Sequence, residues 1–375
     1  MEILEYVNQK KILQEHLLTF IENESDDNED YEKLTKIFEK QNISNNRDEF
    51  LSFLYLLIKI IDNHKRTKDF FKKIEQILLY FQEDIKEKFT NAEKIEIFKS
   101  NNRIFLFLIN TELIASDETF FDFFDKYDYL IEPGKFHYFY PEIKKLFDSE
   151  TRKMIEKDIL KQDPDIFENF DKKRQKAEND TYIAELIRED LIDEFIMYVN
   201  QTNYPLNNRI KHSIFETNAF LIEDKEPTLI EYSAFFGSIQ IFQYLRLNKV
   251  NIRQSLMLYA IHGNNADMIH LLEENGVKFD ERCLRESIKC HHKEITNYIQ
   301  NNLNSKELKI EKDFDDNVIL YCFQNCNYEF FPDDLFSYYV LFYSCSFNYI
   351  NLLKLLLKEN KLDINHTIIS IVQFS

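Results

Sequence analysis

Histidine and cysteine are the side chains that hold transition metals and supply nucleophiles, and here they gather late in the chain. All five cysteines follow residue 282, and His262, His270, His291 and His292 lie near Cys283 and Cys290. A structural zinc site needs four such groups converging tetrahedrally. His291 and His292 are adjacent and would diverge on a helix, and no recognised ligand spacing occurs. These residues read as turn and groove positions of a repeat. Cys322 and Cys326, four apart, would share a helix face, and packing is their expected role. A redox pair would have two residues between its cysteines. A nucleophile elbow or a phosphate-cradling loop needs well-placed glycines, and the four at 134, 237, 263 and 276 form neither. His-Glu motifs of the metalloprotease kind are absent, and paired acids such as Asp333-Asp334 read as solvated caps. The expectation is no catalytic constellation, no cofactor and no metal.

The elements that would position these groups are helices. Almost every segment carries helical spacing of apolar residues, and strand-like alternation is hard to find. Ile3 to Phe20 and Tyr31 to Phe38 read as helices separated by the acidic interval Glu22 to Asp30, a solvated loop that contains Ser25. Phe50 to Ile61, interrupted by Lys59, is too short for a bilayer and reads as a buried helix. Phe70, Ile74, Ile77, Leu78, Phe81, Ile85 and Phe89 put one apolar face on a helix of about five turns, begun by Thr67 to Asp69. Pro133-Gly134 marks a turn, Pro141 suits a first helical turn, and Asp163-Pro164 pairs a capping residue with proline. The charged stretch Asp171 to Asp180, with the basic cluster Lys172 to Lys176, reads as a solvated linker. It divides an N-terminal helical domain, 1–178, from a second domain, 179–375.

The second domain repeats itself. Thr228 to Ala234 is followed 27 residues on by Ser255 to Ile261, and the same offset takes Ile241-Phe242 to Met268-Ile269 and Leu245 to Leu272. A third copy places Leu284, Ser287, Ile288, Ile295 and Ile299 under Met257, Ala260, Ile261, Met268 and Leu272. Each unit reads as a short helix with a small residue inside, a tight turn marked by Gly237 or Gly263, and a second apolar helix. Such a unit cannot bury its own apolar face, whereas stacked neighbours make a continuous core. The clearest repeats span 227–303. A further unit lies at 336–365, an upstream match at Asp190 to Phe195, and a degraded copy between Val318 and Phe331.

Thr228 to Phe242 resembles the ankyrin pattern of a Thr-led first helix, a glycine turn and an apolar second helix. Together with Leu258 to Gly263, Ile288 to His292 and Asn63 to Phe71, it resembles a large family of ankyrin-repeat proteins from trichomonad protozoa that carries a domain of unknown function. The resemblance implies an all-α, ankyrin-like helical-repeat solenoid preceded by an N-terminal α-helical domain, and protein binding. It brings no catalytic residue. Thr228-Leu229-Ile230-Glu231 stands where the usual Thr-Pro-Leu-His start would be, and the period is shorter than the ~33 residues of ordinary ankyrin repeats. The missing residues belong to the hairpin finger between units, which puts finger-mediated contacts in doubt.

A formal charge of −19 would repel phosphate, so neither nucleic acid nor an anionic membrane is an expected partner. The start, Met1 to Tyr6, lacks the basic opening and apolar stretch of a signal peptide, and the odd cysteine count is unlike a disulfide framework. The expected location is cytoplasmic or nuclear, where triplets such as Asn42-Ile43-Ser44 and Asn365-His366-Thr367 stay unmodified. The partner expected is a protein or peptide, a basic one given the acidic balance, and no small-molecule substrate. Glu231, Phe235, Phe236, Leu258, His262, Glu286, Lys289 and His291 are the candidate binding residues, at inner-helix and turn positions where aromatic groups can anchor a partner. An interaction module or adaptor is the leading expectation. A substrate-receptor or regulatory subunit of an enzyme complex, as in protein degradation, comes second, and an enzyme with a dispersed site in the N-terminal domain third. The apolar stretch His366 to Ser375 ends without a polar capping unit, so either the final helices or a partner must cover it.

Overall fold

The helical spacing is realised along the chain. A computed structural model describes residues 2–24, 28–126, 133–162, 164–223, 226–302 and 313–359; Ser25, Asp163, Asn365 and His366 to Ser375 lie outside them. Among the described residues there are 24 α-helices, two 3-10 turns and no β-strand, with one isolated bridge between Arg209 and Thr228. The protein is all-α, a helical-repeat fold of ankyrin-like units with further helices before them.

Six helix pairs share one turn geometry. Their first helices are Tyr182–Arg188, Leu229–Phe236, Leu256–His262, Glu281–Lys289, Asp313–Gln324 and Tyr338–Ser346. After each comes one residue with left-handed backbone: Asp190, Gly237, Asn264, His291, Cys326 and Asn348, at φ 48° to 70°. The amide that follows it donates five residues back. Leu191 bonds the Leu186 carbonyl, Ser238 that of Ser233, Asn265 that of Ala260, His292 that of Ser287, Asn327 that of Cys322 and Tyr349 that of Ser344, at 2.9 to 3.2 Å. This is the helix-ending bond that satisfies carbonyls left without intrahelical donors. Five of these acceptors are small, and all six are buried. The small residue read inside each repeated first helix is this acceptor at Ser233, Ala260 and Ser287, while the upstream pair has Leu186 there. The second helices are Ile192–Thr202, Ile239–Leu247, Ala266–Glu274, Lys293–Asn302 and Ile350–Lys358, while in the degraded copy the 3-10 turn Tyr328–Phe330 takes their place.

The glycines divide the work differently from the sequence expectation. Gly237 is the left-handed residue of its turn, but Gly263 has φ −71°, and Asn264 holds the left-handed position. What Gly263 provides is space, since a Cβ there would sit 1.9 Å from the Phe235 carbonyl oxygen.

The chain forms two compact units: Leu78–Lys278, and Met1–Ile77 together with Phe279–Ser375. This grouping differs from a division at residue 178. Within Leu78–Lys278, the side chain of Asn179 donates to the Lys211 carbonyl at 2.7 Å, and Thr217 Oγ1 donates to the Ala177 carbonyl at 3.1 Å. Packing is therefore continuous across that point. The stretch expected as a solvated linker includes the helix Phe170–Lys176, and Arg174 in it is buried. Its guanidinium reaches both oxygens of Glu142 at 2.9 Å. Charge composition reads as solvated when the partner carboxylate lies 32 residues away. The phenylalanine core of this unit gathers Phe105, Phe120, Phe124 and Phe139, with centroids 5.1 to 6.3 Å apart.

Local corrections follow the same logic. The apolar stripe from Phe70 to Phe89 is buried as expected, but the helix breaks at Phe81 into Phe70–Tyr80 and Gln82–Lys88. Pro133-Gly134 opens the helix Pro133–Tyr138 instead of forming a turn, since proline fits a first helical position. Cys326 lies beyond the helix that holds Cys322, in the turn, so the two do not share a helix face. Phe50 to Ile61 lies in the buried helix Arg47–Asn63.

In the other unit the first and third helices of the chain, Glu2–Glu22 and Arg47–Asn63, pack on the late repeats. Gln14 Nε2 donates to Asn327 Oδ1 at 3.1 Å, and Gln14 Oε1 accepts from the Tyr328 amide at 2.8 Å. Asn351 donates to Glu49 at 2.6 Å, Lys354 pairs with Asp48 at 3.1 Å, and Lys358 with Glu2 at 2.8 Å. Among the described residues no helix is long and apolar enough to cross a membrane.

Candidate functional site

The candidate binding residues fall in both units. In Leu78–Lys278, every residue of Leu229 to Phe235 is buried, so the inner helix of that repeat shows little surface. Glu231 forms a capping box with Thr228, whose amide and hydroxyl donate to Oε2 at 2.9 and 2.8 Å, and Ser255 Oγ donates to Oε1 at 3.1 Å. It thereby ties two repeats together. Phe220, on the short helix Ala219–Glu223, lies over Phe235 and His262, with its ring stacked 3.9 Å from the imidazole. Phe235 and His262 are buried beneath it. Phe236 and Leu258 keep partial exposure.

In the unit of Met1–Ile77 and Phe279–Ser375, Glu286 is buried and meets the Arg285 guanidinium at 3.4 Å, and Lys289 is half-buried. His291 is the left-handed residue of its turn and is buried. Burial pushes its imidazole down to about 3, with the neighbouring His64 acting in the same direction. Of the eight residues, Phe236, Leu258 and Lys289 retain surface, and the other five are packed.

Polar residues outside the eight candidates close this unit. Asn327 Nδ2 donates to the Ile288 carbonyl at 2.8 Å. The same link recurs where Ser238 Oγ bonds the Ile187 carbonyl at 2.5 Å and Tyr349 donates its hydroxyl to the Phe323 carbonyl at 2.8 Å. Each acceptor lies three residues before the left-handed residue of the preceding repeat. His64, at the end of Arg47–Asn63, has Nδ1 2.7 Å from the Cys290 carbonyl oxygen, and its ring lies 4.8 Å from that of His292. Glu22 Oε1 is 2.9 Å from His64 Nε2. The signals available are a glutamine on the apolar face of Glu2–Glu22, beside Leu13 and Leu17, and a histidine three residues after the apolar run Phe50 to Ile61.

A cavity of about 340 Å³ in this unit is lined by Ser52, Tyr55, Lys59, Cys326, Tyr328 and Asn348, among others. Burial raises the Cys326 thiol and the Tyr328 hydroxyl above their ordinary values, which keeps both protonated and weakly nucleophilic. Cys283, raised to about 12 by burial, and Cys290, raised well above its usual value, are held the same way.

Within each unit these features match stacked ankyrin-type helix pairs linked at their turns by side chains. The chain is similar to an ankyrin repeat protein of Acanthamoeba polyphaga mimivirus. The two are 27% identical over 115 residues, which is 30% of this chain. The match spans 27% of the length of that relative. No protein-family profile matches the chain, and no solved structure matches it.

Proposed function

We propose that this protein is an interaction module that binds a protein or peptide partner through its repeats and has no catalysis of its own. The observation that carries this reading is the run of six identically built turns, together with the similarity to an ankyrin repeat protein. Stacked helix pairs create extended surfaces suited to protein recognition. Partner contact belongs to residues that packing leaves accessible: Phe236 and Leu258 in one unit, Lys289 in the other, and outer-helix groups such as Met197 and Leu247, the latter 74% exposed. The charge of −19 favours a basic protein over nucleic acid or an anionic membrane. Buried thiols with raised pKa values suit a reducing, cytoplasmic setting and offer no activated nucleophile. Membership among the trichomonad ankyrin-repeat proteins with a domain of unknown function is part of the same proposal, resting on the stretches Thr228 to Phe242 and Asn63 to Phe71.

The test is affinity capture with the full chain and with Phe236→Ala/Leu258→Ala and Lys289→Glu variants, matched for folding by circular dichroism. A set of partners retained by the parent chain and lost from a variant supports the reading. Identical recovery by all three removes these residues from the interface.

A further inference from the structure

We propose that Glu22, His64 and His292 form a binding site for a divalent d-block metal ion, zinc being the best fit. One donor atom from each lies within 4.8 Å of the other two. All three belong to the unit of Met1–Ile77 and Phe279–Ser375.

His64 is oriented by the backbone next to a repeat turn. Its Nδ1 faces the Cys290 carbonyl oxygen at 2.7 Å, and a carbonyl can only accept, so Nδ1 carries the hydrogen. In the neutral ring Nε2 then bears the lone pair, and that atom lies 2.9 Å from a carboxylate oxygen of Glu22. Two lone pairs at this distance require a positive charge between them. A proton bridges two atoms, whereas a metal ion gathers three. His292 supplies the third, with its ring 4.8 Å from that of His64. A ring nitrogen aimed at the site while the other donates to a backbone carbonyl is the usual support of a metal-bound histidine.

The site combines two buried donors with one exposed donor. Both histidines are buried; the His64 ring is held by the Cys290 carbonyl, and the His292 backbone by the helix-ending bond of its amide to Ser287. Glu22, at the last position of Glu2–Glu22, has a half-exposed side chain that can turn toward them. Zinc bonds of about 2.0–2.2 Å in tetrahedral geometry place donor atoms roughly 3.4 Å apart, a spacing inside the 4.8 Å that encloses these three donors. Two histidines and one glutamate are a donor set that zinc accepts, with a fourth position left for water on the side of the exposed carboxylate. The ion would pin the end of the first helix and the residue after the third to a repeat turn. The proposal does not depend on the protein-binding reading.

The experiment is a zinc titration of the full chain, stripped with chelator, against a chromophoric competitor, followed by thermal melting with and without zinc. The same measurements on Glu22→Gln and His292→Gln, and on His270→Gln as an exposed-histidine control, decide the site. The expected result is one equivalent bound, a higher melting temperature with zinc, and affinity lowered at least tenfold by each site variant but not by the control. Glu22→Gln changes a half-exposed side chain, so its folding is preserved and its loss of affinity reports ligation. Absence of stoichiometric binding, or binding unchanged in Glu22→Gln and His292→Gln, overturns the proposal.

Discussion

Gln14 and Asn327, 313 residues apart, share a buried hydrogen bond of 3.1 Å that joins the first helix of the chain to the turn of the fifth repeat. Asn327 is fully buried and also donates to the Ile288 carbonyl, so one side chain joins three segments. Asn327→Leu takes the shared acceptor away from Gln14 Nε2 and the Glu329 amide, while the Ile288 carbonyl keeps the His291 amide at 3.1 Å. A cost of about 3 kcal/mol is expected, because each buried unsatisfied group costs about 1–3 kcal/mol. Urea unfolding followed by circular dichroism measures it. Combining it with Gln14→Leu should cost less than the two separate losses added together, since both remove the same bond.

Gly263 and Asn264 offer a test of the turn geometry. A Cβ at Gly263 meets backbone, the Phe235 carbonyl oxygen, which cannot swing away as a side chain would. Asn264→Ala only forces alanine into left-handed backbone, at about 1 kcal/mol. Gly263→Ala should therefore lower the thermal midpoint more than Asn264→Ala does. The reverse order would return the left-handed role to Gly263.

Arg174 is held by Glu142 and by Asp171 at 2.5 Å, and its ring neighbours are Phe170 and Tyr138. Arg174→Met keeps the packing volume but leaves the largely buried Glu142 without its cation. Removing one partner of a buried pair costs about 3–5 kcal/mol. Replacing both, Arg174→Met with Glu142→Leu, should restore most of that loss in the same unfolding assay.

His137 is buried, and burial lowers its pKa against the smaller opposing pull of Asp158 at 3.7 Å. The unfolded chain then binds a proton near pH 6.5 that the folded chain does not. The contribution of His137 to stability is complete above that pH and is lost as pH falls through it, by at most about 1.4 kcal/mol per pH unit. Burial raises the Glu142 carboxyl, an effect of opposite sign that both chains share. Urea midpoints at pH 7.5 and 5.5 should therefore fall further for the parent chain than for His137→Gln.

Much of the fold was legible because its signal is local. The 27-residue offset that aligns Ser233, Ala260 and Ser287 also aligns the left-handed residues Gly237, Asn264 and His291. In the second repeat the left-handed residue is Asn264, one beyond the glycine that usually marks such backbone, because Gly263 is needed for clearance. The break at Phe81 was invisible because the apolar stripe continues in register through it. Long-range closure left almost no trace. Nothing near Gln14 announces Asn327, nothing near Arg174 announces a buried partner, and Glu22 and His64 lie over 220 residues from His292. The candidate binding residues rest on the premise that inner helices face a groove. Phe220, lying over Phe235 and His262, shows why that premise fails locally.

The central claim, that the repeats bind a protein, is tested most directly by hydrogen exchange on the full chain with and without a captured partner. Protection gained in peptides covering Leu229–Phe236 through Ala266–Glu274, or Glu281–Lys289 through Lys293–Asn302, is the predicted result. Protection confined to the helices from Gln82–Lys88 to Ser149–Gln162, with the repeats unchanged, would contradict it.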